Sequence, residues 1–137
     1  MADYYTHISL MVDNLTQDEE AWLRTYINNQ DETPNEDNGY LGFSYDFQDK
    51  GLWIYFDDSG YIGAVADMLQ EFLFIFRPDE IITFCWSDGC SKPRLDAYGG
   101  GAVAISSSEW LAENTYDLAE KLSERLRKNL EKNRKGI

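Results

Sequence analysis

Length, composition and charge narrow the classes to which this chain can belong. Its 137 residues suit one domain, and a hydrophobic fraction of 43% with 15% aromatic residues excludes a disordered chain. The net charge of −13 opposes direct binding to nucleic acid, because contacts to phosphates depend on Lys and Arg. We therefore predict a single domain over residues 1–137 that does not bind nucleic acid directly.

The sequence carries no sign of export or of membrane insertion. The segment Met1–Tyr5 lacks the basic flank and apolar run of a signal peptide, and no stretch approaches the roughly 20 apolar residues of a membrane span. Cys85 and Cys90 are too few for a disulfide framework, and we expect free thiols. These features predict a cytoplasmic protein without a membrane partner, as a monomer or a homodimer.

The first predicted elements are a strand and a helix. Apolar and polar residues alternate over 4–12, which is typical of a half-buried strand. Thr16 and Glu19 have the spacing of a capping box at the start of a helix over 17–28.

A hairpin follows, with the clearest alternation in the chain. Strands over 40–47 and 52–57 flank the turn sequence Asp49-Lys50-Gly51. In this turn we expect Gly51 to take a positive φ.

The second half of the chain predicts one helix and two more strands. The helix covers 61–76 and ends before Pro78. The strands cover 81–86 and 101–106, with a loop over Ser87–Tyr98 between them.

A final helix over 115–133 carries a row of apolar side chains. We expect this row to cover part of the sheet. The basic residues of the helix have a structural role, since they form i,i+4 pairs with preceding acidic residues and favour the negative end of the helix dipole. The row consists of Leu118, Leu122, Leu126 and Leu130.

The predicted order is β-α-β-β-α-β-β-α. Its first six elements have the ferredoxin-like order, in which two helices pack on one face of an antiparallel sheet. We therefore predict an α+β fold with two layers, in which one edge strand and a C-terminal helix are added to a ferredoxin-like core.

No catalytic constellation is visible in the sequence. A nucleophile–base pair would have to join His7, the single histidine, to Cys85 or Cys90. We expect both cysteines to be largely buried and His7 to lie beyond hydrogen-bond reach of their sulfurs. Oxygen ligands for Mg²⁺ or Ca²⁺ would come from Asp46, Asp57, Asp58 and Asp88. For the segment Asp57-Asp58-Ser59-Gly60 we favour an Asp that caps the following helix, and we predict neither enzyme activity nor a cofactor.

Cations and glycines combine in a candidate ligand loop. Lys92 and Arg94 could hold an anion, while Gly99, Gly100 and Gly101 would let the backbone approach a ligand closely. The residue order matches neither a P-loop nor a dinucleotide fingerprint. We favour the structural alternative, a connection that needs positive φ.

The acidic residues form the leading candidate for a functional surface. Residues 1–114 carry 21 acidic and five basic side chains, a charge of −16, which attracts basic protein surfaces. Acidity that serves only solubility is the alternative. The predicted partner-binding band consists of Asp18, Glu19, Glu20, Asp31, Glu32, Glu36, Asp37, Asp57 and Asp58.

A second candidate surface is the sheet face opposite the first two helices. It would show Trp53 and Tyr55 beside carboxylates, as a protein-binding patch does. The alternative is that the C-terminal helix covers these rings.

Several short sequences resemble a family of small acidic α+β proteins carried by phages and other bacterial mobile elements. They are Asn14-Leu15-Thr16, Glu19-Glu20-Ala21-Trp22, Cys90-Ser91-Lys92-Pro93-Arg94 and Tyr98-Gly99-Gly100-Gly101-Ala102. The resemblance implies an accessory role, since acidic inhibitors of host defence, some of them nucleic-acid mimics, occur among mobile-element proteins.

These observations predict a non-enzymatic interaction protein that docks on a basic surface of a host defence or nucleic-acid-processing protein. The alternative is a protein that binds a small ligand or an anion, or an enzyme, with Lys92, Arg94 and the three glycines as its site.

Overall fold

The computed structural model describes residues 4–32, 41–57, 60–91 and 99–135. Their elements follow the order β-α-β-β-α-β-β-β-α, so the predicted α+β class is confirmed. The strands are β1 Tyr4–Val12, β2 Ser44–Gln48, β3 Gly51–Phe56, β4 Ile82–Cys90, β5 Gly99–Ile105 and β6 Trp110–Asn114. The helices are α1 Gln17–Glu32, α2 Ile62–Phe76 and α3 Thr115–Lys135.

The six strands form one antiparallel sheet in the order β2-β3-β1-β4-β5-β6. Its first four strands have the split βαβ arrangement of the ferredoxin-like pattern, and β5 extends the sheet as predicted. The strand β6 was not predicted. The sequence of β6, Trp110–Asn114, does not alternate clearly between apolar and polar residues, and only Trp110 is partly buried in the structure.

The hairpin of β2 and β3 is confirmed, but the prediction for its turn is wrong. Lys50, and not Gly51, has the positive φ, at 56°. Gly51 begins β3, and a Cβ there would lie 3.1 Å from Met11 Sδ. A side chain at this position would therefore require the Met11 side chain to shift by a few tenths of an ångström.

The hydrophobic core lies between the sheet and the two helices α1 and α2. Side chains of one sheet face, such as Leu52 and Ile54, are fully buried against α1 residues such as Leu23 and α2 residues such as Leu69 and Phe72. Because strand residues alternate between faces, the other face of the sheet is free of this core.

The expectation that the C-terminal helix covers part of the sheet is wrong. None of the residues of α3 is buried, and the four leucines of its row are 46–63% exposed. The helix begins at Thr115, directly after Asn114 ends β6, and only its beginning is seen against the sheet, where Leu118 lines a depression with the glycines of β5.

Candidate functional site

The capping box predicted at the start of α1 is present. The Thr16 N–H donates to Glu19 Oε1 at 2.9 Å, and the Glu19 N–H donates to Thr16 Oγ1 at 3.1 Å. Each side chain thereby satisfies a backbone donor that the first helical turn leaves without a partner.

Glu19 does not belong to an exposed acidic band, and that part of the prediction is wrong. Its side chain is buried beside Arg77, whose Nε donates to Glu19 Oε2 at 2.7 Å and whose Nη2 donates to Oε1 at 3.2 Å. Arg77 Nη2 also donates to the backbone oxygens of Asp13 and Asn14, at 3.0 and 3.2 Å. The pair joins the end of α2 to the start of α1.

The balance of burial and charge sets the ionisation of this pair. Burial works to raise the pKa of Glu19, but the hydrogen bonds and charge of Arg77, with the bonds to Thr16, outweigh it and leave the pKa below the usual value of 4.5. The hydrogen bond to Glu19 likewise raises the pKa of Arg77. Glu19 is therefore a charged structural residue.

Six exposed carboxylates gather at the end of the sheet where this pair lies. Three hydrogen bonds bring the loops of that end together: Leu15 N to Lys50 O at 3.0 Å, Arg77 Nη2 to Asp13 O, and Ser107 Oγ to Pro78 O at 3.0 Å. We call this region the acidic end, and it consists of Asp13, Asp18, Asp49, Asp79, Glu80 and Glu109.

Among the described residues, the cations of the acidic end leave most of its carboxylates without an ion pair. Arg77 is turned inward to Glu19 and reaches Glu80 only at 3.5 Å. Lys50 is exposed, and no ion pair joins it to a carboxylate within the parts of the chain that the structure describes. The acidic end is therefore open to cations from a partner.

Other members of the predicted band lie apart from Asp18. Glu20 pairs with Arg24 on α1 at 3.3 Å. Asp31 and Glu32 end α1, about 20 Å along the helix from Asp18 at 1.5 Å per residue. Asp57 is exposed after β3, at the opposite end of the sheet. Glu36, Asp37 and Asp58 lie outside the described residues.

The three glycines of the candidate ligand loop lie in β5. Gly101 pairs with Trp86, and a Cβ on Gly101 would lie 2.2 Å from Cη2 of that indole. Gly100 has φ 154°, and a Cβ there would lie 2.2 Å from the Trp86 backbone oxygen. Close packing of Trp86 thus accounts for these two glycines. The prediction that 87–98 is entirely loop is wrong, because β4 runs to Cys90; Lys92 and Arg94 lie outside the described residues.

The open face of the sheet, opposite α1 and α2, carries the predicted aromatic patch. Trp53 and Tyr55 stack with ring centroids 4.0 Å apart, and Trp53 Nε1 donates to Ser9 Oγ at 2.9 Å. A shallow depression of about 600 Å³ lies beside the rings and is lined also by His7 and Cys85. Among the described residues, none of α3 lines this depression.

Among the described residues no disulfide involves Cys85 or Cys90, and the expectation that both are largely buried is wrong. Cys85 is exposed on the open face and Cys90 is half-buried. His7 pairs with Ser87, so Cys85 is its diagonal neighbour across the strands, and such neighbours lie roughly 7–8 Å apart. No hydrogen bond joins His7 to Cys85 in the parts of the chain that the structure describes.

The described candidate metal ligands, Asp46, Asp57 and Asp88, are not brought together. Asp46 is exposed opposite Trp53 on the open face, whereas Asp88 lies on the helix side, where Thr6 Oγ1 and Trp86 Nε1 donate to it at 3.0 and 3.3 Å. Among the described residues no group of three His, Cys, Asp or Glu side chains could hold a metal ion. The cap expected at Asp57 is wrong, because Tyr61 is the N-cap of α2 and makes no side-chain cap bond.

A cleft of about 570 Å³, which the sequence analysis did not predict, lies between the end of α1 and the start of α2. Asp88 and Asp67 line it together with the rings of Tyr26 and Trp86, and Trp110 Nε1 holds Asp67 at 2.9 Å. Burial raises the pKa of the Tyr26 hydroxyl, and the nearby carboxylates raise it further. These residues are distant in sequence, so no local pattern predicts that they meet. Alternation along β4 places only Trp86 and Asp88 on the helix side of the sheet.

The fold and its surfaces together define an acidic two-layer α+β protein. No protein-family model, no curated protein and no solved structure matches the chain. Among the described residues, no helix has both the length and the apolar character needed to cross a membrane.

Proposed function

We propose that this protein is a non-enzymatic interaction protein whose acidic end docks on a basic surface of a nucleic-acid-binding protein. The observation that supports this proposal is the gathering of Asp13, Asp18, Asp49, Asp79, Glu80 and Glu109 around one end of the sheet. The proposal replaces the band expected along α1 with a surface built from four loops and one helix start.

Rigid attachment favours this surface as a binding site. The Glu19–Arg77 pair and the hydrogen bonds of Leu15 and Ser107 fix the loops that carry the carboxylates. Carboxylates on a rigid frame lose less conformational freedom on binding than those on a long side chain or a free tail. The frame therefore presents a fixed pattern of negative charge.

The charge of the whole body adds long-range attraction to this local pattern. A strongly acidic protein is drawn to the positive field that a nucleic-acid-binding protein maintains for phosphates. In the complex, carboxylates would occupy the Lys and Arg side chains that otherwise bind phosphate. Following the resemblance to mobile-element proteins, we propose a host defence or nucleic-acid-processing protein of a bacterium as the partner.

A matched pair of variants tests the proposal. The first removes three carboxylates of the acidic end (Asp13→Asn, Asp49→Asn and Asp79→Asn). The second removes three exposed carboxylates elsewhere (Glu71→Gln, Glu120→Gln and Glu131→Gln). Proteins captured by the wild-type chain from a bacterial lysate are identified, purified and titrated with each variant, with a labelled DNA duplex as competitor.

The two variants have equal net charge, so any difference between them reports position. Each exposed ion pair contributes about 0.2–1 kcal/mol, and the loss of three predicts roughly ten-fold weaker binding for the first variant at low salt. The second should change affinity less than two-fold, and DNA should compete with the wild-type protein. Equal weakening by both variants would contradict docking through the acidic end.

The variant Lys92→Ala/Arg94→Ala tests the remaining alternative. It should leave binding unchanged if the carboxylates carry the contact. If it abolished binding while the acidic-end variant had no effect, Lys92 and Arg94 would be the site and the proposal would be wrong.

A further inference from the structure

Two apolar surfaces of this chain lack a covering element among the described residues. One is the leucine row of α3, Leu118 to Leu130, whose side chains are 46–63% exposed. The other is the open face of the sheet. Its apolar part consists of Met11, Trp53, Tyr55, Cys85, Ala102, Ala104 and Leu111.

Leu118, at the start of the leucine row, lines a depression of about 330 Å³ with β5 of its own chain, whereas the rest of the row, Leu122 to Leu130, lies away from the groove between α3 and β6. A groove of about 420 Å³ separates α3 from β6, and polar residues of α3 from Asp117 to Arg127 line it. At 100° per residue these positions lie opposite the leucine row. Local bonds fix the helix in this direction: Asn114 Oδ1 accepts from the Asp117 N–H at 2.8 Å, and Lys121 Nζ lies 2.6 Å from Glu113 Oε1.

Charge identifies the occupant that suits the leucine row. The segment 115–137 carries seven basic and four acidic side chains, whereas the rest of the chain is strongly acidic. A second copy therefore offers α3 a surface of opposite charge, with Asp46 and Asp57 at the rim of its open face. An anionic membrane would attract the helix but repel the attached body.

Helix geometry disfavours pairing of two α3 helices. Leucines at every fourth position turn about 40° around the axis at each step, so they do not form the straight seam that a 3.5-residue repeat gives a coiled coil. Pairing would also bring two basic helices together. By contrast, a helix of 21 residues is about 31 Å long, enough to cross a six-stranded sheet roughly 24 Å wide.

We propose that two copies of this chain form a dimer in which each α3 lays its leucine row across the open face of the other copy. The contact is reciprocal, as two-fold symmetry requires, and it buries both apolar surfaces at once. The residues of the acidic end belong to neither surface. Dimer formation and docking through the acidic end are therefore separable.

Sedimentation velocity over a concentration series tests the dimer with variants of the full chain. Leu122→Ser/Leu126→Ser removes the centre of the leucine row, and Ala104→Arg places a cation on the open face. Phe74→Ser is the matched control, because Phe74 is a 70% exposed apolar residue of α2 outside both surfaces. Circular dichroism confirms folding, which no α3 substitution should disturb because the helix has no buried residue.

We expect a wild-type dimer whose dissociation constant rises about 100-fold or more in the double serine variant. Ala104→Arg should weaken it comparably, while Phe74→Ser should change it less than three-fold. Mixing the double serine variant with Ala104→Arg should restore association, because one intact leucine row then meets one intact open face.

Several outcomes would overturn the dimer. A wild-type chain that stays monomeric throughout the series would do so, as would an Ala104→Arg variant that dimerises normally, since that result indicates pairing of the α3 helices. A monomer that binds phosphatidylserine vesicles through Leu122 and Leu126 would assign the leucine row to a membrane instead.

Discussion

Two helices of this molecule, α2 and α3, both carry apolar side chains, but only one of them uses these to build the fold. Six residues of α2 are buried, among them Leu69 and Phe72 with no exposed surface. None of α3 is buried, and Leu126 is 63% exposed. Both segments show helical spacing of apolar residues, so spacing alone does not say what a helix packs against.

The segments that join α2 and α3 to neighbouring elements differ, and this difference affects which helix packs in the core. In α2, Arg77 caps the end of the helix and joins it to the start of α1, and the chain then returns to the sheet at β4. In α3, the helix follows β6 without an intervening residue and lies beside this edge strand across a groove. Beside β6 the helix presents polar residues, from Asp117 to Arg127, so its leucines do not join the core.

Truncation of one leucine in each helix should give the largest difference in the free energy of unfolding. Leu69→Ala should lower the free energy of unfolding by about 3 kcal/mol, because it leaves a cavity in the core. Leu126→Ala should change the free energy of unfolding of the monomer by less than about 0.5 kcal/mol. Urea unfolding of the two variants, at concentrations low enough to keep the chain monomeric, provides the measurement.

Equal losses in these two variants would break the comparison between the helices. A loss of several kcal/mol from Leu126→Ala would mean that α3 packs against its own chain. Its leucine row would then be unavailable to a second copy.

Removal of the Glu19 charge should lower the free energy of unfolding by less than Leu69→Ala does, because it weakens only the connection between α1 and α2. Glu19→Gln should cost about 2 kcal/mol, because Arg77 loses the carboxylate to which it donates. Glu20→Gln is the matched control: its exposed i,i+4 pair with Arg24 contributes no more than about 0.5 kcal/mol. Chemical denaturation at neutral pH measures both changes.

The cost of Glu19→Gln should also depend on pH. The pKa of Glu19 is lower in the folded protein than its usual value of 4.5, so the folded state binds fewer protons than the unfolded state near that pH. The stability that the charge contributes is thus present above pH 4.5 and is lost as pH falls through the folded pKa. Stabilities of wild type and Glu19→Gln should converge on acidification, and a constant difference would contradict the role of the ion pair.

Patterns confined to neighbouring residues were predictable from the sequence. The Thr16–Glu19 capping box depends on spacing within one helical turn, and the hairpin of β2 and β3 depends on alternation beside a short turn. The ferredoxin-like order of the first four strands followed once these elements were placed. In each case local preference and tertiary structure agree.

Features that depend on distant partners were not predictable. Glu19 was assigned to an exposed band because nothing near it in sequence indicates Arg77, 58 residues away. Gly100 and Gly101 were assigned to a ligand loop because the residue that packs against them, Trp86, lies on another strand and cannot be recognised from the local sequence. The acidic end likewise unites loops far apart in the chain, so its carboxylates were not recognised as a group.

Hydrogen exchange of α2 and α3 at several protein concentrations tests most directly the claim that one helix serves the fold and the other serves a second copy. The backbone amides of α2 should be protected at every concentration, because the helix belongs to the core. Those of α3 should exchange rapidly in the dilute monomer and become protected as the dimer forms. Protection of α3 equal to that of α2 at the lowest concentration, or no protection at any concentration, would contradict this account.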